Sequence, residues 1–161
     1  MVILDFGCKK NKVKGAIGVD INSDSDADVI HDFEKKPFPF PDNSADLIYA
    51  KHILEHLNNP CILVQEAIRI LKPGGNLIME VPHFSNYVAY SDLEHKRYFS
   101  YFTFRSLLGE EQLKKTTRLI RFYKTFRFFG LQKLFNKYPE QYERFWTYLF
   151  PAETIIAVLE K

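Results

Sequence analysis

The chain has 161 residues, 46% of them hydrophobic and 26% charged, with a net charge of +2 and an isoelectric point near 8.4. That length suits one ordinary core and is short for two, so a single domain over residues 1–161 is expected. The charge is too mild to imply nucleic acid by itself, no window holds the ~18 apolar residues of a membrane span, and Cys8 and Cys61, isolated and without a CxxC pair, indicate neither a disulfide framework nor a zinc site.

Val2 to Phe6 and Ala16 to Ile21 read as the first two strands. Each is a short apolar run carrying a carboxylate, Asp5 and Asp20, beside a turn residue, the pattern of a buried parallel strand whose carboxyl end opens onto a ligand crevice. A carboxylate at the end of the second strand is placed to accept hydrogen bonds from a ribose hydroxyl pair. The link between these strands, Cys8 to Gly15, is shorter than a helical crossover, so a loop is expected instead of the first helix. Asp28 to His31, Asp46 to Ala50 and Asn76 to Val81 follow as strands, and their continuous apolar character suits a parallel sheet.

Asn59 as cap, Pro60 at the first helical position and a stripe through Ile62, Leu63, Ala67, Ile68, Ile70 and Leu71 predict a helix that Gly74 and Gly75 stop. Ser100 to Gln112 predicts a helix capped by Thr103, Arg118 to Phe128 a strand, Leu131 to Phe150 an aromatic-rich helix, and Thr154 to Leu159 a last strand. The aromatic share of 16% concentrates late, as an insertion at about residues 128–150. A nicotinamide-binding domain would need Gly-x-Gly-x-x-Gly opening a helix that receives pyrophosphate, and the chain shows neither.

Four segments in order, Leu4-Asp-Phe-Gly-Cys, Gly18-Val-Asp-Ile, the run from Phe38 through Leu57, and the run from Ile70 through Pro82, carry a resemblance to a known family. With Glu94-His-Lys-Arg-Tyr-Phe and Leu149-Phe-Pro-Ala-Glu, the chain resembles the class I S-adenosylmethionine-dependent methyltransferases, in particular a compact methyltransferase-11-like group with a shortened first crossover. The resemblance implies an α/β fold, a doubly wound Rossmann-like three-layer sandwich with a mostly parallel sheet and an antiparallel last strand, and S-adenosylmethionine as cofactor.

It also implies roles: Asp5 and Gly7 at the methionine end, Asp20 at the ribose, Asp32 on the adenine amino group, Phe33 packed on the base and Ala50 flooring the pocket, with Ile21 among the cofactor-binding residues. The competing readings are a turn cap for Asp5 and a core role for Phe33 beside Pro37, Phe38 and Phe40. Lys9 and Asn11 stand where the family carries further glycines; Asn tolerates positive φ, whereas Lys9 brings bulk and positive charge towards a cationic sulfonium. The chain also begins at its first strand, without the preceding helix that covers the cofactor in many relatives, so an open site is expected.

Methyl transfer is an in-line displacement at an activated carbon, so the protein mainly aligns the acceptor and removes a proton. The imidazoles to consider are His52, His56, His83 and His95. His95 is the first candidate for general base or acceptor positioning, against a role tying down its loop; His83 is the second, and His56, ending a short helical turn, reads as structural. The fourth strand ends in Tyr49-Ala-Lys rather than the Asp/Asn-Pro-Pro-aromatic motif of nucleobase amino-methylating enzymes.

Lys114, Lys115, Arg118, Arg121, Lys124 and Arg127 interleave with Phe122, Tyr123, Phe126, Phe128 and Phe129, which fits single-stranded nucleic acid or an anionic surface, or simply a strand with one solvated cationic face. The aromatics from Phe135 to Phe150 could lid an acceptor pocket or form a homodimer contact. The expectation is therefore a cytoplasmic methyltransferase acting on a small-molecule acceptor of isoprenoid, lipid or sugar-like character. Its alternatives are a methyltransferase-like binding module without turnover and an RNA methyltransferase.

Overall fold

The computed structural model describes residues 1–128 and 130–161; Phe129, and the side chain of Phe128, both in the basic and aromatic run, lie outside the described residues. One sheet contains β1 (Ile3–Phe6), β2 (Ile17–Asp20), β3 (Val29–Ile30), β4 (Ala45–Lys51), β5 (Leu71–Pro82), β6 (Thr116–Phe122) and β7 (Ala152–Glu160), in the order β3-β2-β1-β4-β5-β7-β6. The strands from β3 to β5 are parallel, and β7 runs antiparallel to both β5 and β6. The chain moves outward from β1 to β3, then returns to β4 on the other side of β1. That reversal opens a crevice at the carboxyl ends of β1, β2 and β4, where open α/β sheets hold ligands.

The core sits on the central strands. Leu4 and Phe6 of β1 are fully buried, as are Ile48 of β4 and Leu77 and Met79 of β5. Helix α1 (Pro60–Ile70) covers them with Leu63, Ala67 and Ile70, and its start is capped as the sequence predicts, with Asn59 Oδ1 accepting from the Cys61 N–H at 3.2 Å.

No α-helix is found among the described residues in the links β1–β2, β2–β3 and β3–β4. The backbone of such links must find partners elsewhere. In the β3–β4 link the Phe38 N–H donates to Glu66 Oε2 at 2.7 Å, and the Arg69 guanidinium donates to the carbonyls of Phe38 and Phe40 at 3.1 and 2.9 Å. Two side chains of α1 thus replace a missing helix.

Several boundaries differ from the sequence expectation. The α1 helix ends at Ile70, and Gly74 and Gly75 lie inside β5, where Leu71 pairs Ala45 but Asn76 pairs Leu47. This bulge needs glycine: Gly74 has φ +79°, and a Cβ on Gly75 would stand 2.9 Å from the Lys72 carbonyl oxygen. After α2 (Val88–Ser91) comes α3 (Thr103–Lys114), where Ser100 rather than Thr103 makes the cap, its Oγ accepting from the Phe102 and Thr103 N–H groups at 3.1 and 3.3 Å.

The strand expected to Phe128 stops at Phe122 and gives way to α4 (Lys124–Phe128). The expected long aromatic helix is broken into α5 (Leu131–Lys137), α6 (Pro139–Gln141) and a π-helical turn, Tyr142–Trp146. Pro139 is the cause, since it has no N–H to give and pushes Tyr138 out of the helical region, to φ −131° and ψ 62°. This segment lays Phe135 and Tyr142 against Ile120, Phe122 and Ala152, a second apolar cluster beside β6 and β7.

Candidate cofactor site

Gly7 ends β1 in a left-handed turn with φ +73°, its N–H donating to the Val19 carbonyl at 2.8 Å. A Cβ there would lie 2.8 Å from Ile53 Cδ1 and 3.1 Å from Ile53 Cβ, so crowding by that side chain adds to the positive φ in favouring glycine. The turn opens a cavity of about 750 Å³ at the carboxyl ends of β1, β2 and β4. Five of the seven residues expected at the cofactor line it: Gly7, Asp20, Ile21, Asp32 and Phe33.

Asp20 is the pivot. Its Oδ2 accepts from the Lys9 N–H at 2.9 Å and its Oδ1 from the Asn22 N–H at 3.0 Å, which fixes the carboxylate while each oxygen keeps lone-pair capacity. Ile21 beside it is 62% exposed, an apolar surface presented to the cavity. Asp32 caps its own turn, with Oδ1 accepting from the Glu34 N–H at 3.0 Å and Lys35 Nζ 3.3 Å from Oδ2. That N–H bond, more than the lysine, holds its carboxyl below the usual range. Phe33 lines the cavity, and its ring packs on Phe6 at 5.3 Å and Phe38 at 5.6 Å as a core residue would.

Asp5 and Ala50 do not line the cavity. Asp5 is buried in β1 with Oδ2 accepting from the Val13 N–H at 2.8 Å, so it ties the β1–β2 loop to the sheet; burial raises its pKa, partly offset by that hydrogen bond and by Lys51 and Lys12. Ala50 is fully buried in β4, between Phe6 of β1 and Met79 of β5.

The histidines are also sorted by the fold. His83 is fully buried, with Nδ1 2.8 Å from Ser85 Oγ and Nε2 3.1 Å from Glu143 Oε1, so it anchors the π-helical turn and lies outside the cavity lining. His95 is also absent from the lining: its Nδ1 is 3.0 Å from the Ala89 carbonyl, the tie-down arrangement weighed against a catalytic one. His52 and His56 do line the cavity. His52 has φ +50°, and the Glu55 carboxylate beside it raises its pKa against the effect of burial.

Lys9 also lines the cavity, with φ +47°. The left-handed position therefore falls on Lys9 and not on Asn11, the residue type that tolerates it better. Asp20 on one side and the Asp26 N–H, which donates to the Lys9 carbonyl at 2.6 Å, hold the strained residue in place.

Residues 7–79 match the profile of the family described as "Methyltransferase domain". An uncharacterized protein encoded in a Streptomyces fradiae transposon is 35% identical over 63 residues, a stretch that is 38% of this chain and 18% of that protein. Among solved structures the chain is similar to a SAM dependent methyltransferase from Archaeoglobus fulgidus, with TM-score 0.71 and 19% identity over 99% of this chain and 85% of that one. This is the class I S-adenosylmethionine-dependent methyltransferase fold. The chain is also similar to Haemonchus contortus phosphoethanolamine N-methyltransferase 2 bound to S-adenosyl-L-methionine, with TM-score 0.65 and 14% identity over 100% of this chain and 48% of that one. The methyltransferase-domain match covers β2, β3, β4 and α1 and begins at Gly7, and so takes in the cavity turn.

Three of the six basic side chains of the basic and aromatic run are engaged within the protein. Arg118 donates to the Tyr101 carbonyl at 2.7 Å, Arg121 pairs with Glu80 at 2.8 Å and Arg127 with Glu153 at 3.5 Å. The aromatic segment lines a separate groove of about 410 Å³ between Leu131, Phe135, Trp146 and Phe150, which shares no residue with the cavity at Gly7 and Asp20. No helix among the described residues is long and apolar enough to cross a membrane.

Proposed function

We propose that this chain binds S-adenosylmethionine in the crevice between Gly7 and Asp20 and transfers its methyl group to a small-molecule acceptor. The observation that carries the reading is Asp20: a carboxylate at the end of β2, held by two backbone N–H groups, faces a cavity that begins at the tight turn of Gly7. In this reading the Asp20 oxygens take the ribose hydroxyls, Ile21 and Phe33 sandwich the adenine, and Asp32 accepts from its amino group. Asp5 and Ala50 act from behind, the first by holding the β1–β2 loop and the second by flooring β4. The acceptor enters on the His52 and His56 side. His95 acts on it through His56, with the two rings 4.7 Å apart, and His83 keeps the neighbouring loop in place. The sheet and the aromatic segment work as one domain, since β6 and β7 bracket that segment in sequence and pair with each other.

Calorimetry with S-adenosylmethionine and S-adenosylhomocysteine tests this: one equivalent of each binds per chain, and a folded chain that binds neither overturns it. A second reading, a binding module without turnover, is favoured by one feature, the Lys9 side chain at the cavity wall. It predicts the same binding but no methyl transfer to any acceptor pool. An RNA acceptor fits less well, because Arg118, Arg121 and Arg127 are engaged within the protein.

A further inference from the structure

After β4 the chain makes one 3-10 turn, Leu54–His56. Glu55 in this turn is 1% exposed, and neither carboxylate oxygen has a hydrogen-bond partner; His52 Nδ1 lies 3.3 Å from Oε1 but without the alignment of a hydrogen bond. A carboxylate buried in this way costs free energy unless something cationic satisfies it, and His52, which approaches only Oε1, leaves Oε2 with no partner. His56 and His95 stand beside it, and one ligand atom from each of the three residues lies within 4.8 Å of the others. His95 is already oriented. The Ala89 carbonyl near its Nδ1 can only accept, so in the neutral ring Nδ1 carries the proton and Nε2 keeps the lone pair. A metal-ligating imidazole is held this way by a second partner. The Lys96 and Arg97 N–H groups donate to the Glu55 carbonyl at 2.8 and 3.1 Å, which fastens the His95 loop to the Glu55 turn.

We propose that Glu55, His56 and His95 bind one divalent transition-metal ion of the zinc class. Two neutral imidazoles and one carboxylate form a donor set that suits such ions and leaves a coordination position open. A tetrahedral ion with bonds of about 2.1 Å needs donors about 3.4 Å apart, so binding draws the three side chains together by side-chain rotation. Asp92, with Oδ2 3.7 Å from His95 Nε2, adds negative charge at the site. His56 lines the cofactor-side cavity, so the three residues stand at its wall. If the cavity holds S-adenosylmethionine as proposed above, the ion is placed to hold an acceptor through a hydroxyl or enol oxygen; only that role rests on the cofactor reading. The sequence hid this site because Glu55 and His56 are adjacent and His95 arrives from the loop after β5.

The test uses the full chain stripped with chelator and without cofactor. Zn²⁺ is titrated by calorimetry, and Co²⁺ by its visible absorption. The proposal expects one equivalent of each, retained in Cys61→Ser and weakened at least about tenfold in Glu55→Gln and in His95→Ala. Circular dichroism checks each fold, and if Glu55→Gln does not fold, His95→Ala decides alone. A folded wild-type chain that binds neither ion overturns the proposal, as does binding that His95→Ala leaves unchanged. Because no cofactor is present, failure here leaves the S-adenosylmethionine reading standing, and failure of cofactor binding leaves the ion site standing.

Discussion

On the β2–β3 side of the sheet, loops stand where helices would, and carboxylates hold them. Asp5 accepts from Val13, Asp20 from Lys9 and Asn22, and Asp28 from Gly18 at 2.7 Å while pairing with Lys12 at 2.9 Å. On the β6–β7 side the chain is held by rings: Phe122 packs on Phe135 and Tyr142 at 5.4 and 4.9 Å, and the Tyr142 hydroxyl donates to the Phe150 carbonyl at 2.9 Å. The two sides divide the labour. Polar ties shape a crevice that a ligand can share, because a carboxylate that caps a loop still has lone pairs to offer. Apolar packing fixes the far edge and offers the crevice nothing.

Substitutions sharpen this contrast, and the largest effect falls on the aromatic side. Phe122→Ala is expected to lose about 3–5 kcal/mol of stability, read by denaturant unfolding, with cofactor affinity unchanged. An affinity that falls with stability would break the division. Asp20→Ala should do the reverse, losing about 1–3 kcal/mol of stability because two N–H groups lose their acceptor, while cofactor affinity drops about 10- to 100-fold by calorimetry. Lys9→Gly removes the left-handed strain of a side chain at φ +47° and should gain about 1 kcal/mol, with tighter binding of the sulfonium cofactor.

The smallest effect is one of pH. The Lys12 ammonium beside Asp28, with the Gly18 N–H, holds that carboxyl below its usual range, and Asp32 is lowered by the Glu34 N–H. A depressed folded-state pKa gives stability that is full above the ordinary carboxylate range and lost as pH falls through the folded value. Asp5, raised by burial, has the opposite sign and opposes them in part. Hydrogen exchange on acidification should therefore rise first in the loops around β2 and β3. Equal protection on both sides of the sheet would count against the contrast.

The sequence carried the parallel half well, since short apolar runs ending in Asp5 and Asp20 are local signals, and Asn59-Pro60 starts α1 where expected. It carried the aromatic half poorly. The periodicity from Leu131 to Phe150 looks like one helix, but Pro139 breaks it, and the resulting turn is set by Tyr142 docking on Phe122 from a distant strand. Of the residues that line the cavity, Asp20 was legible from its place at a strand end, and Gly7, Ile21, Asp32 and Phe33 from the family resemblance. His52 and Lys9 carry no such signal beyond lying just after a strand. Their cavity positions follow from turn geometry, and Lys9 owes its φ to the backbone bonds of Asp20 and Asp26. His95, the first catalytic candidate in sequence, and His83, the second, both lie outside the cavity lining, where Ala89 and Glu143 hold them.

The most direct measurement is a crystal structure of the chain with S-adenosylhomocysteine. The account predicts the ribose hydroxyls within about 3 Å of the Asp20 oxygens, with the adenine between Ile21 and Phe33. A ligand seated elsewhere, with Asp20 bonded only to Lys9 and Asn22, would contradict it.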